Sequence, residues 1–422
     1  MRRRSRTVLA LFTALACVMA CGRGAPPPLD DDDDGAASAQ APAKVRPPSK
    51  GRGTSGPLAS GTSRVLVPPE GDVPIYRASR PLMGTVFEIV VSGAEEAVAA
   101  DAARRALDEV DRLEHVLSEW RPDSEISRVN DAAGREPVRV GPDLMRMVVE
   151  SQAVSEWSDG AFDISWAALR GLWDFRPDRP HRPPSEADVR ARLPLWSYRN
   201  VVVDRAASTL FLRRAGMAIG LGGIAKGYAV DRAGEVLLRA GLRNWMIYGG
   251  GQVLVHGRRG NRRWRVGIQH PRDAQRYFAF LEMDDGSLAT SGDYEHSFEH
   301  GGRRYHHILD PRTGFPSYSS MSVTVVAPTG LAADAIDTAA FILGASRAVP
   351  RLARAPGGPV EAVFVDPELR LYTTPGTERR LIMRARLDAD GRIGGPIAAG
   401  TDVPPLGPRP PPPEATPRPR AR

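Results

Sequence analysis

The sequence predicts an α+β fold: a single large domain of mixed strands and helices with disordered segments at both ends. Apolar stretches of helix and strand length are interspersed without the regular strand–helix–strand alternation of a parallel sheet. The middle of the 422-residue chain, residues 73–394, is long enough for a substantial core. Both ends differ in composition, with Pro, Gly and Asp enriched in residues 22–72 and Pro and Arg in residues 395–422.

The elements of the middle region follow from periodicity. Apolar residues at helical spacing predict helices over residues 95–117, 143–157, 227–240 and 331–343. Residues 120–130 are predicted as a polar turn region, because Pro122 and Asp123 break both patterns. Apolar runs predict strands over residues 85–91, 200–204, 209–212, 264–268, 278–283 and 321–327, with 360–365 as the last strand, and a strand region over 245–255 that the glycines at 249–251 interrupt.

Residues 1–21 have the pattern of an export signal. Clustered arginines precede an apolar run, residues 8–20, that is too short to span a bilayer as a helix. Ala20 before Cys21 resembles the cleavage site of a bacterial lipoprotein, and Ala16 before Cys17 is a competing site. An ordinary secretory signal is the alternative. We expect an exported protein on the periplasmic side of a bacterial membrane, lipid-anchored at Cys21 or Cys17.

The flanking segments and the charge indicate no nucleic-acid partner. Residues 22–72 are expected to be a disordered tether, and residues 395–422 a disordered Pro/Arg-rich tail. The formal net charge is +7, but the positive charge is scattered and lies partly in these segments. Because both cysteines lie in the N-terminal segment, the domain has no disulfide, thiolate zinc site or cysteine nucleophile.

The strongest candidate for chemistry lies in the helix over residues 331–343. Asp334, Asp337 and Thr338 are spaced three and four apart, which places them on one helix face. Two carboxylates and a hydroxyl suit a hard cation such as Mg²⁺. Helix capping by these Asp residues is the alternative explanation.

Three further segments are weaker candidates. The glycine-rich turn at residues 219–227 holds Lys226, the only lysine of the domain, and either binds phosphate or is simply a tight turn. Adjacent His306 and His307 point to opposite sides of an extended chain, so one of them could act as a general base. Ser291 lacks a nucleophile elbow and is interpreted as a turn hydroxyl.

Taken together, the motifs resemble the ApbE family, the FAD:protein FMN transferases. Each segment is modest alone, and the specificity lies in their shared order between residues 81 and 365. The matching segments are MGT (83–85), LSEWRPDSEISRVN (117–130), GAFDIS (160–165), GIAKGYAVD (223–231), YGG (248–250), TSGD (290–293), HILDP (307–311) and ADAIDT (333–338).

The resemblance implies a domain related to the T-fold and a Mg²⁺-dependent activity. FMN would pass from the substrate FAD to a Ser/Thr hydroxyl of an acceptor protein, with release of AMP. The acceptor would carry a flavinylation motif and belong to a membrane redox complex. Two alternatives stay open: an FAD pyrophosphatase, in which water replaces the acceptor, and a non-catalytic FAD-binding lipoprotein.

The resemblance also implies residue roles. His307 matches a general base, and Gly220 stands where family members usually carry an Asp next to FAD, so FAD affinity or orientation is expected to change. The metal ligands would be Asp334, Asp337, Thr338 and the carbonyl of Gly223. The remaining FAD contacts would be Met83, Trp120, Ala161, Phe162, Asp163, Lys226 and Ile308.

Overall fold

The computed structural model describes residues 73–176 and 181–396. The predicted signal peptide, the tether and nearly all of the tail lie outside these residues. The described part confirms an α+β fold, with one large antiparallel sheet between a layer of helices and a layer of smaller sheets. None of the described helices combines the length and apolarity needed to cross a membrane.

The helices and strands alternate irregularly along the chain. The helices are α1 (Glu96–Leu117), α2 (Glu125–Asp131), α3 (Pro142–Trp157), α4 (Glu186–Arg192), α5 (Ala225–Arg239), α6 (Gly330–Leu343), α7 (Ala345–Leu352) and α8 (Pro375–Glu378). The strands are β1 (Ile75–Leu82), β2 (Thr85–Ser92), β3 (Val138–Arg139), β4 (Val201–Asp204), β5 (Thr209–Leu212), β6 (Trp245–Gly249), β7 (Gln252–His256), β8 (Trp264–His270), β9 (Asp273–Met283), β10 (Asp285–Gly292), β11 (Ser297–His300), β12 (Arg303–His306), β13 (Ser322–Ala327), β14 (Glu361–Val365), β15 (Leu371–Thr373), β16 (Leu381–Met383), β17 (Ala385–Leu387) and β18 (Ile393–Pro396).

The large sheet has the strand order β1-β2-β6-β7-β10-β13-β14-β15, with every neighbour antiparallel. Side chains alternate between its two faces, as strand geometry requires. Phe87, Ile89 and Ile247 pack under α1, α3 and α5, whereas Val90 and Val253 pack against β8 and β9. Helices α6 and α7 cover the helix-side face of β13 and β14. The sheet is therefore buried on both faces.

The structure differs from the sequence predictions in detail. The region over 120–130 is not all turn, because Ser124 caps α2 by accepting a hydrogen bond from the N–H of Ser127. Strand β14 does not close the domain, since β15 to β18 and α8 follow it. The four long helices agree with the predicted spans to within two residues at each end.

Helices α5 and α6 cross at two glycines, and this crossing sets the position of the candidate site. A Cβ on Gly227 would overlap the carbonyl oxygen of Gly330, and it would lie 2.7 Å from Cβ of Asp334. The close approach lets the N–H of Gly227 donate to Oδ2 of Asp334 at 2.8 Å. Asp231 accepts hydrogen bonds from the N–H groups of Gly330 and Leu331 at 2.6 and 2.9 Å. These contacts hold the first turns of the two helices together.

Gly227→Ala is therefore expected to destabilise the fold by roughly 1–3 kcal/mol or more, because overpacking forces the helices apart. Gly222→Ala is the matched control, since a Cβ there meets nothing within 4 Å. Thermal unfolding of the two variants measures the difference. Equal melting temperatures for wild type and Gly227→Ala would contradict the close crossing.

Candidate active site

One edge of the large sheet gathers the turns that carry the sequence motifs. Thr85, just after the β1–β2 turn, lies against Gly250 in the β6–β7 turn, where an added Cβ would be 3.0 Å from the Thr85 methyl group. The N–H of Thr290 in β10 donates to the carbonyl of Gly251 at 3.2 Å. The next residue, Ser291, has its Oγ 3.4 Å from Oγ1 of Thr338 in α6. Motifs distant in sequence thus converge beside α6.

Asp334 and Asp337 form a buried carboxylate pair on α6, with relative exposures of 5% and 3%. Thr338 donates to Oδ1 of Asp337 at 3.1 Å, and Ser291 also hydrogen-bonds to this carboxylate. Burial, together with the negative charge of Asp334, raises the pKa of Asp337 well above its usual value. Neither carboxylate caps α6, because the N-cap is Thr329. Neither therefore caps its own helix, although Asp334 accepts a hydrogen bond from the N–H of Gly227 in the first turn of α5.

Lys226 lies in the first turn of α5, directly beside the pair. Its Nζ is 3.5 Å from Oδ1 of Asp334 and donates to the carbonyl of Gly222 at 3.0 Å. The N–H groups of Gly222 and Gly223 make no hydrogen bond within the described part of the chain. An ammonium group and open N–H groups at a helix N-terminus are the features that bind phosphate oxygens.

The donor set fits a hard divalent cation. Lys226 can balance only one of the two buried carboxylates, so a bound cation would stabilise the charged form of the second. Gly223 lies close enough that an added Cβ would be 3.4 Å from Oγ1 of Thr338. No cluster of three or more His, Cys, Asp or Glu with a metal-binding arrangement occurs in the described ranges. Mg²⁺ commonly takes one or two carboxylates and completes its shell with water and substrate phosphates, so a carboxylate pair is a donor set that it accepts.

The GAFDIS segment forms a wall beside this centre. Ala161 and Phe162 are buried, and the Phe162 ring would be 3.3 Å from a Cβ on Gly223. The Asp163 carboxylate is occupied internally, because it accepts hydrogen bonds from the N–H groups of Ser165 and Tyr198 at 2.8 and 2.6 Å. The structure thus gives Asp163 a clear structural role: it ties two segments of the wall together.

The other expected FAD contacts occupy different settings. Met83 sits at positive φ in the β1–β2 turn and donates its N–H to Oε2 of Glu114 at 2.7 Å. Trp120 is 69% exposed, with the Arg170 guanidinium 4.8 Å from its ring centroid. Ile308 is buried and follows His307 directly.

Two other side chains fill the space that a side chain at residue 220 would occupy. A Cβ there would be 2.9 Å from Oε1 of Glu119 and 2.8 Å from the ring of Trp166, and both distances are too short for real contacts. The Trp166 Nε1 donates to the carbonyl of Gly220 at 3.0 Å, which fixes the ring. Only glycine fits here without displacing one of these neighbours.

The two histidines point apart, as their adjacency predicts. His306 ends β12 and is fully buried, with its Nε2 2.9 Å from the carbonyl of Ser317 and its Nδ1 accepting from the N–H of Ile308. His307 is exposed, and its Nδ1 lies 3.3 Å from the carbonyl of Glu295. A carbonyl can only accept, so Nδ1 of His307 carries the proton and Nε2 is free to take one.

The pKa of His307 is lowered by the protein atoms around the ring and by the charges of His296 and His306. The imidazole is nevertheless exposed to solvent. The ring is therefore less desolvated than a buried ring would be, and the pKa of His307 is lowered by less than full burial would lower it. A neutral imidazole at neutral pH is the form that a general base requires.

Burial of His306 lowers the pKa of its imidazole from 6.5 to about 4. The unfolded chain then binds more protons between these pH values, so stability falls as the pH drops through this window. We expect a loss of up to about 3 kcal/mol by pH 4 from this residue.

Urea unfolding of wild type and His306→Asn between pH 7 and 4.5 measures this effect. The comparison is needed because buried carboxylates such as Asp231, whose pKa burial raises to about 6, contribute the opposite slope. Exposed His300 supplies the control His300→Asn, which should keep the wild-type slope. An unchanged slope in His306→Asn would contradict a buried neutral His306.

Sequence reasoning missed three residues of this centre. Ser291 was predicted as a turn hydroxyl but lies in β10 facing Thr338. Asp231 and Glu119 were not singled out, although Asp231 closes the GIAKGYAVD motif at one helical turn from Gly227. No local pattern marks Glu119, because its role depends on a contact with Gly220.

Comparisons with known proteins agree with this geometry. The model of the ApbE family matches residues 83–364. An FAD:protein FMN transferase of Klebsiella pneumoniae is 34% identical over 293 residues, 69% of this chain and 89% of that protein. One from Treponema pallidum is 33% identical over 332 residues, covering 74% and 90%.

Solved structures agree as well. The ApbE protein of Thermotoga maritima superposes with a TM-score of 0.67 at 30% identity, covering 72% of this chain and 99% of that one. The flavin transferase ApbE of Vibrio cholerae gives 0.64 at 27% identity, covering 73% and 99%. Fold, site and relatives together define an enzyme of the transferase class. The chain belongs to the ApbE family.

Proposed function

We propose that this enzyme transfers FMN from FAD to a Ser or Thr hydroxyl of an acceptor protein in a Mg²⁺-dependent reaction that releases AMP. The observation that carries the proposal is the pair of buried carboxylates, Asp334 and Asp337, with the half-buried hydroxyl of Thr338 beside them and Lys226 facing them at the start of α5. Such a site binds a pyrophosphate and a hard cation together. The named relatives, which are FAD:protein FMN transferases, support the choice of substrate.

The residues divide the work of phosphoryl transfer. Lys226 and the open N–H groups of Gly222 and Gly223 would hold the pyrophosphate of FAD. Asp334, Asp337, Thr338 and the Gly223 carbonyl would hold Mg²⁺, which when bound offsets charge on the phosphates and on departing AMP. Phosphoryl transfer depends chiefly on positioning and electrostatics, which this site provides.

His307 provides the proton acceptor. The acceptor hydroxyl oxygen bonds to the FMN phosphorus as the bond from that phosphorus to the bridging oxygen breaks. The bridging oxygen leaves with AMP, and the hydroxyl proton passes to Nε2 of His307. Solvent exposure of the ring suits a base that must meet a protein substrate rather than a buried small molecule.

Product analysis tests the proposal. The enzyme is incubated with FAD, Mg²⁺ and an acceptor domain that bears a Ser/Thr flavinylation motif, and intact masses and nucleotides are measured. An FMN-sized mass gain on the acceptor with equimolar AMP is expected. Free FMN and AMP with an unmodified acceptor would indicate a pyrophosphatase instead, and FAD recovered whole would indicate a binding protein.

For the location we propose export and lipid anchoring on the periplasmic side, where a membrane redox-complex subunit would be the acceptor. Support comes from the sequence alone: the arginine-rich start, the short apolar run and the small residues before Cys17 and Cys21.

Cys21→Ala is expected to move the protein from the membrane fraction to the soluble fraction of the host cell, because the lipid acceptor is lost. Cys17→Ala is the matched control and should stay with the membrane. Fractionation followed by immunoblotting gives the result. Release of Cys17→Ala alone would assign the anchor to Cys17, and retention of the double variant Cys17→Ala/Cys21→Ala on the membrane would contradict lipid anchoring at these cysteines.

A further inference from the structure

Glu119 is a buried carboxylate that the proposed chemistry leaves unused. It follows α1 in a loop and has 7% relative exposure, whereas the adjacent Trp120 has 69%. Its carboxylate accepts hydrogen bonds from its own N–H and from the N–H of Leu221. A carboxylate has about four acceptor positions, so roughly half of its capacity remains available. With this burial the carboxylate is poorly solvated, and its pKa is raised as a consequence.

The carboxylate stands against the backbone of Gly220. Its Oε1 would be 2.9 Å from a Cβ at that position, and the fixed ring of Trp166 closes the other side. Residue 119 thus places a carboxylate beside the glycine-rich turn across a tertiary contact.

The surroundings are suited to an aromatic ring that carries hydrogen-bonding groups. Exposed Trp120 offers a face for stacking next to the buried carboxylate. Arg170 stacks on Trp120 and donates to the Glu119 carbonyl at 3.0 Å, while its Nε and Nη2 are buried without an acceptor in the described residues. The hydrogen bond from the N–H of Leu221 and the contact with Gly220 place the Glu119 carboxylate beside the glycine-rich turn that leads to Lys226.

We propose that Glu119 is an FAD-recognition residue of this chain, whose carboxylate accepts a hydrogen bond from an N–H group of one of the two ring systems of FAD. The donors available are the imide N–H of the isoalloxazine and the exocyclic amine of adenine. This inference rests on the proposed function, since it takes FAD as the ligand of the site.

Equilibrium binding to the full chain tests the proposal, with FAD and two analogues as probes in the presence of Mg²⁺. One analogue carries a methyl group on the isoalloxazine imide nitrogen, and the other has hypoxanthine in place of adenine. We expect Glu119→Gln to weaken FAD binding about tenfold, because a neutral amide oxygen is a weaker acceptor than a carboxylate and the amide NH₂ group cannot accept from the same donor. For the analogue that lacks the donor, Glu119→Gln should cause no loss of affinity relative to wild type.

Two controls separate recognition from a structural role. Glu136→Gln, at an exposed position, should bind all three ligands as wild type does. Glu119→Gln should have the melting temperature of wild type or a higher one, because removal of a poorly solvated buried charge does not destabilise the folded state. Gly220→Ala should weaken FAD binding by displacing the carboxylate, and adding Glu119→Gln to it should cause little further loss.

Each outcome is decisive. Unchanged FAD binding by Glu119→Gln, or the same loss for FAD and both analogues, would overturn the proposal. A lowered melting temperature with uniform loss would assign Glu119 to the fold alone. If wild type does not bind FAD, the proposed function is refuted. The variants then have no reference affinity, so this result differs from any outcome that tests Glu119.

Discussion

Asp337→Asn is expected to lower the rate of FMN transfer on the order of a thousandfold, because a cation ligand in phosphoryl transfer contributes several kcal/mol to transition-state stabilisation. The stability of the folded protein should not decrease. Asp337 is 3% exposed and shares its surroundings with Asp334, so a neutral isostere removes a like-charge repulsion. We therefore expect an inactive enzyme with an equal or higher melting temperature.

Single-turnover rates with FAD, Mg²⁺ and the acceptor, together with Mn²⁺ affinity, measure this effect. Asp131→Asn, at an exposed position on α2, is the matched control and should leave both quantities unchanged. If Asp337→Asn retained more than a tenth of the wild-type rate, the carboxylate pair would not be the metal centre. A fall in activity accompanied by unfolding would likewise argue for a purely structural pair.

His307→Asn is expected to lower the transfer rate by roughly 10²–10⁴-fold, the usual contribution of a positioned general base. FAD affinity should stay close to that of wild type, because the base acts on the acceptor hydroxyl rather than on the bound nucleotide. His300→Asn, on exposed β11, should transfer FMN at the wild-type rate.

The pH profile gives an independent readout of the same residue. Because the pKa of His307 is lowered, its imidazole is still largely neutral when the pH falls to 6.5. The wild-type rate should therefore stay constant into mildly acid conditions and fall only at lower pH. The residual rate of His307→Asn should not show this fall at acid pH. A variant with the wild-type rate and the wild-type profile would exclude His307 as the base.

Local patterns predicted a large part of this molecule. Helical spacing placed Asp334, Asp337 and Thr338 on one face of α6, and the same spacing found α1, α3 and α5. These predictions succeeded because each depends only on residues within a few turns of helix.

The missed features depend on contacts distant in sequence. Ser291 faces Thr338 because β10 pairs with β13 in a register that sets Ser291 opposite Val323. Glu119 reaches Gly220 only because the loop after α1 packs against the glycine-rich turn. Strands β15 to β18 are short, and their pairing partners rather than their own sequence define them.

Anomalous diffraction from crystals of the enzyme soaked with Mn²⁺ and FAD tests the central claim most directly. We expect one strong anomalous peak within coordination distance of the Asp334 and Asp337 carboxylates and the Thr338 hydroxyl, next to the FAD pyrophosphate. A peak bound elsewhere, or FAD seated without metal at this pair, would contradict it.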